Sequence, residues 1–176
     1  MRYMIFIFGC FLILGCSRVD ESGPVATNNE IVPDQEIWGG KIEITDNGRL
    51  QSIVQAGYMQ SFQKKQMTLL DSGVTVDFFN KEGQHTSVLT SERASIEEKS
   101  DIFKAQGNVV VVSDSGAVLR TERLYWDKKK RRVSSDTLVI LTTDLDSLRG
   151  YDFEADENLK SWSLKKPTGR TFRRRQ

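Results

Sequence analysis

The feature that most restricts this chain is an internal repeat with a period far too short for a domain. Ser87-Val88-Leu89-Thr90-Ser91-Glu92-Arg93-Ala94 returns as Ala117-Val118-Leu119-Arg120-Thr121-Glu122-Arg123-Leu124, at an offset of 30. The match runs on without a gap, so that Phe103 falls on Val133, Ala105 on Ser135, Val109 on Val139 and Val111 on Leu141. An earlier copy, Gly48 to Ala56, aligns with Gly83 to Ser91 at an offset of 35, and a weaker one follows at Ser147 to Phe153. Such a unit holds two or three strands and cannot bury its apolar face alone. The units must therefore stack on one another.

Within the units the hydropathy alternates with period 2. Lys41 to Thr45 alternates before the Asp46-Asn47-Gly48 turn, and Val74 to Phe78 before Asn80-Lys81-Glu82-Gly83. Val109 to Val112 is a β-branched run closed by Asp114-Ser115-Gly116. Short strands joined by tight turns predict an all-β, antiparallel meander. Only residues 61–70 and 154–159 could hide helical turns.

The repeat also predicts facing. Positions that stay apolar or small in every copy point inward: Val54, Leu89, Leu119 and Leu148, then Met59, Ala94, Leu124 and Phe153. Val76, Phe78, Phe103, Ala105, Val109, Val111, Val133, Val139 and Leu141 join them. The spacing from Leu119 and Thr121 to Leu124 and Trp126 is odd, which predicts a β-bulge near Glu122-Arg123. Several inward slots are small: Ser91, Ala105, Gly107, Thr121 and Ser135. They either leave room for a ligand or let two sheets approach closely, and taken alone they favour close approach.

Composition removes most chemistry. The chain has 176 residues, 25 basic and 24 acidic, one histidine and two cysteines. A net charge of +1 gives no global attraction for nucleic acid, and no such partner is expected. Cys10 and Cys16 both lie at the N-terminus, which argues against a Cys/His zinc site, a disulfide framework and Cys–His catalysis in the folded part. No Gly-rich phosphate loop ends in Gly-Lys-Ser/Thr. No catalytic residue, metal or cofactor is expected, and the chain is not expected to be an enzyme.

Tyr3 to Leu14 is an apolar run of about a dozen residues, too short to span a bilayer and right for a signal-peptide core. Ile13-Leu14-Gly15-Cys16 resembles a bacterial lipobox. Residues 1–15 are then a signal peptide, and Cys16 is the acylated residue that attaches the chain to a membrane. Residues 16–36, with breaks at Gly23-Pro24 and Asn28-Asn29, form a tether. The β domain is expected over 37–165, with a basic tail over 166–176.

The stretches Leu89-Thr90-Ser91-Glu92-Arg93-Ala94, AQGNVVVVSDSGAVLRTERLYWD (residues 105–127), RRVSSDTLVIL (131–141) and LRGYDFEADENL (148–159) resemble the LptC family of lipopolysaccharide export. The resemblance covers roughly 74–164. It implies a splayed β-jellyroll of two stacked sheets, with acyl chains of lipopolysaccharide carried along the inward positions. It also implies partners: the periplasmic domains of LptF/LptG at one jellyroll edge and LptA at the other. The LptA edge falls on the weak last repeat, which lacks a following matched strand: Leu148, Tyr151 and Phe153, with Trp162 and Leu164. The family anchor is a transmembrane helix, whereas this chain carries a lipobox. The family role points to the periplasmic face of the inner membrane. Ser17 after the cysteine points, by the enterobacterial sorting rule, to the outer one. The remaining alternative is an envelope lipoprotein whose β-sandwich only binds proteins.

Other polar groups have plain readings. His85 follows a turn and reads as solvated. Glu97, Glu98, Asp101, Asp144 and Asp146 flank turns, where acids are favoured locally. Residues 128–132 (KKKRR) form either a solvated hairpin tip or a contact for phosphorylated or anionic head groups.

Overall fold

The computed structural model describes residues 32–171. Alternating residues build eleven strands: β1 (Gln35–Asp46), β2 (Arg49–Phe62), β3 (Met67–Phe79), β4 (His85–Ser91), β5 (Arg93–Glu97), β6 (Ile102–Ser113), β7 (Val118–Asp127), β8 (Arg132–Ser135), β9 (Val139–Thr142), β10 (Asp146–Asp156) and β11 (Trp162–Thr171). The chain folds as an all-β, antiparallel jellyroll-like structure. Of the stretches suspected of helical turns, only Gln63–Lys65 forms one, a single 3-10 turn. Strand β1 begins inside the segment expected to be tether, and β11 extends into the expected basic tail.

Neighbours along the sheet run β1-β2-β3-β4-β6-β7-β8-β10-β11, with β5 between β3 and β6 and β9 between β7 and β10. The long strands change partner halfway. Strand β3 pairs with β5 through 67–70 and with β4 through 74–79. Strand β6 pairs with β5 through 102–106 and with β4 through 110–113. Strand β7 meets β9 first and then β8, and β10 does the same. The result is two half-sheets. Half-sheet I contains β4 and β9, half-sheet II contains β5 and β8, and the long strands cross from one to the other.

The crossings are bends. Ser72, Gly73, Gly107, Asn108, Asp152 and Lys166 all have positive φ there. At β6 the pairs Gln106↔Arg123 and Val109↔Thr121 leave Gly107 and Asn108 opposite Glu122. This is the bulge expected near Glu122, with its extra residue on β6 rather than β7. Gly107, at φ +80°, is where left-handed backbone is cheap, and a Cβ there would fall 2.5 Å from a Glu92 carboxylate oxygen. The half-sheets close on each other face to face, and the Phe78 ring of half-sheet I stands perpendicular to Trp126 of half-sheet II with centroids 4.8 Å apart.

The expected C-terminal end needs correction. Strand β10 is not the last: β11 pairs with it from Asp146 to Ala155. Leu148, Tyr151 and Phe153 therefore lie inside the sheet, and Phe153 is wholly buried. Of the five residues expected on that edge, only Trp162 and Leu164 sit on the edge strand. The repeat hides β11 because it has no counterpart in the other units.

Candidate functional site

Cross-strand pairing sorts the inward side chains into rows that run across the strands. The longest row lies on half-sheet I: Ile42↔Val54, Val54↔Val76, Val76↔Leu89, Leu89↔Val111, Val111↔Leu119, Leu119↔Leu141 and Leu141↔Leu148. It is aliphatic at every strand, and its next neighbour on β11 is Gly169. Beside it toward the bends lie Val109, Thr121 and Val139, and toward the strand ends lie Ser52, Phe78, Ser87 and Ser113.

Half-sheet II carries two facing rows. One runs Ile37-Met59-Leu70-Ala94-Ala105-Leu124. The other runs Ile96-Phe103-Trp126-Val133-Ala155-Trp162. All fourteen residues expected to face inward as lining sit on these rows and are buried. They form one continuous apolar cluster between the half-sheets.

At its middle the cluster is closed: Val54, Leu89, Phe103, Leu119 and Trp126 are 0% exposed. At its two ends the cover runs out. Ile42 and Ile44 at the β1 end, and Trp162 and Leu164 at the β11 end, pack on the cluster only partly buried. Ile37, on the inner face of β1, is 48% exposed. An apolar interior with uncovered ends can hold alkyl chains, and burial of such side chains is worth about 1.5–3 kcal/mol each.

The small slots serve the bends. Thr121 Oγ1 lies 3.0 Å from Ser135 Oγ and 2.8 Å from Thr137 Oγ1, and donates to the Leu138 carbonyl at 3.0 Å. Ser91 Oγ donates to the Arg93 carbonyl. These hydroxyls satisfy backbone groups where the ladder breaks. Close approach, rather than empty space, is what the small residues provide at these positions.

The basic run forms the β7–β8 turn, and every cation in it faces a carboxylate. Lys128 and Lys129 reach Asp101 at 3.3 and 2.8 Å, Lys130 reaches Asp127 at 3.1 Å, and Arg132 reaches Glu154 at 4.0 Å. Hydrogen bonds from Lys129 and Lys128 hold the Asp101 carboxyl below the usual carboxylate range. His85 lies between Asp114, at 3.0 Å, and Asp77, at 3.5 Å. Among the described residues no group of His, Cys, Asp and Glu is arranged to hold a metal ion. Cys16 lies outside the described residues.

Sequence reasoning missed one buried charge. Glu157, in the β10–β11 turn, is 6% exposed. Its Oε2 pairs with Arg131 Nη2 at 2.6 Å, and Trp126 Nε1–H donates to its Oε1 at 2.6 Å. Burial pushes its carboxyl up, against the pull of Arg131 and the Trp126 hydrogen bond. The available signal was the indole N–H of an inward Trp126, which needs an acceptor.

Residues 6–169 match the family described as LptC, "Lipopolysaccharide-assembly, LptC-related". No curated protein matches the chain.

Proposed function

The chain belongs to the LptC family and so takes part in lipopolysaccharide transport in the cell envelope, and from that premise we propose that it is a membrane-anchored periplasmic scaffold whose interior carries the acyl chains. Lipopolysaccharide passes along the apolar rows from the LptF/LptG side of an ABC transporter toward LptA. The observation that carries this reading is the aliphatic row that crosses half-sheet I from Ile42 to Leu148. A row of that kind offers an alkyl chain the same surface at every step, with no polar group to stall it. Among the described residues the terminal strands β1 and β11 each leave one side unpaired, and strand addition there would extend the rows into a neighbouring protein.

Cys16 supplies the anchor in this reading, and several acyl chains hold it at ~0.8 kcal/mol per buried methylene. The scaffold itself performs no catalysis; it supplies surface, and the energy comes from the transporter.

The closed packing around Phe78 and Trp126 favours a second reading, an envelope lipoprotein that joins proteins and carries no lipid. One substitution separates the two. Val109 is 1% exposed on half-sheet I, and Val109→Arg would place a charge between the half-sheets without a partner. In the transport reading the purified wild type retains lipopolysaccharide through gel filtration and the folded variant does not. Wild type that retains none supports the protein-only reading.

A further inference from the structure

The bends join the half-sheets along one side of the interior. The opposite side is a rim where strand ends face each other across a gap, and residues 156–161 cross it. Asp156 still pairs with Arg132 on half-sheet II. The next residues bond to half-sheet I: the Glu157 carbonyl accepts from Ser87 Oγ at 3.0 Å, and the Asn158 carbonyl accepts from Ser113 Oγ at 2.9 Å. Leu159 then turns into the apolar cluster, 3% exposed.

The Glu157 carboxylate ties the crossing back to half-sheet II through Trp126 and Arg131, and Arg131 also donates to the Phe79 carbonyl of half-sheet I at 2.9 Å. The third serine of the same inward row, Ser52, is wholly buried and its hydroxyl has no hydrogen-bond partner among the described residues. The crossing thus stops short of β2. Between β2 and the β7–β8 turn the rim is parted by a cleft of about 350 Å³. Its lining is mostly polar or charged, with Asp46, Gln51, Asp101, Lys128, Lys129 and Arg131 beside Ile44.

We propose that residues 156–161 are a latch on a lateral opening, and that lipid chains enter the interior sideways through this rim. Uptake starts at the parted β2 end and requires the Ser87 and Ser113 bonds to the turn to release. Arg131, which lines the cleft and holds Glu157, links the two. This rests on the lipid-carrying function proposed above. It adds a route: the interior is filled from its side and not only through its ends.

The test compares three forms of the full chain for uptake of fluorescent lipopolysaccharide. Ser87→Ala with Ser113→Ala removes the latch bonds and leaves the Glu157 pair intact. Two hydrogen bonds of ordinary strength correspond to roughly tenfold faster uptake or more. Ser113→Cys with Asn158→Cys, in a chain whose Cys10 and Cys16 are serine, locks the latch when oxidised. The locked form should load at least tenfold more slowly and recover on reduction. Equal rates in wild type, the alanine form and the oxidised and reduced cysteine form would overturn the latch and leave the transport reading standing. Absence of uptake by every form would overturn the transport reading, and the latch with it.

Discussion

At the scale of single residues, Glu157 departs furthest from what a surface turn requires. It is a carboxylate with a cation at 2.6 Å, yet burial dominates its titration and raises it above the usual 4.5. The folded protein therefore binds this proton more readily than the unfolded chain. The carboxyl's contribution to stability is greatest below the unfolded value and declines as pH rises through the raised folded one. Asp101 works in the opposite sense. Its lowered value contributes stability above about 3.8, lost as pH falls. Glu157→Gln should remove only the first dependence. Urea melts between pH 4.5 and 7 should show wild type losing stability relative to the variant as pH rises. Parallel profiles would show that Arg131 fully offsets the burial of Glu157.

At the scale of elements, β11 is one of the sheet's two edge strands, the other being β1. Chains truncated after Ser161 lose that strand and keep β10 paired with β8 and β9. They should fold with a melting temperature within several degrees of wild type and bind LptA at least tenfold more weakly. Undiminished binding, with protection from hydrogen exchange gained on β1 instead, would place LptA at the other end. The inward phase of the strands from β4 to β9 was legible, because period 2 and the 30-residue repeat determine it together; the first half of β3 was not, since residues 61–70 carry no clear period. Ala94, Ala105 and Leu124 fall on one row as the alignment requires. The bends were not legible. They rest on left-handed backbone at Ser72, Asn108, Asp152 and Lys166, residue types that mark no single conformation. The latch was hidden for another reason. Asp156, Glu157 and Asn158 are polar and look like surface, and only the folded chain carries Glu157 under the rim. Strand β11 escaped because it repeats nothing.

At the scale of the whole molecule, an anchor, a domain and a passage act together. Cys16→Ser should release the domain from membranes or leave an unprocessed precursor. Membrane fractionation and the mass of the protein check this together. Normal membrane association without the mass of acyl chains would remove the lipid anchor. The passage depends on which face of the half-sheets meets lipid. Leu89 is wholly buried on the long aliphatic row, and the next residue, Thr90, is exposed on the outer face. A photoreactive amino acid placed at each position in cells, followed by irradiation and detection of lipopolysaccharide on the protein, reads the two faces separately. Lipid carried between the half-sheets gives a crosslink from Leu89 and none from Thr90; a crosslink from Thr90 alone, or from neither in a chain that folds and reaches the membrane, would rule that passage out.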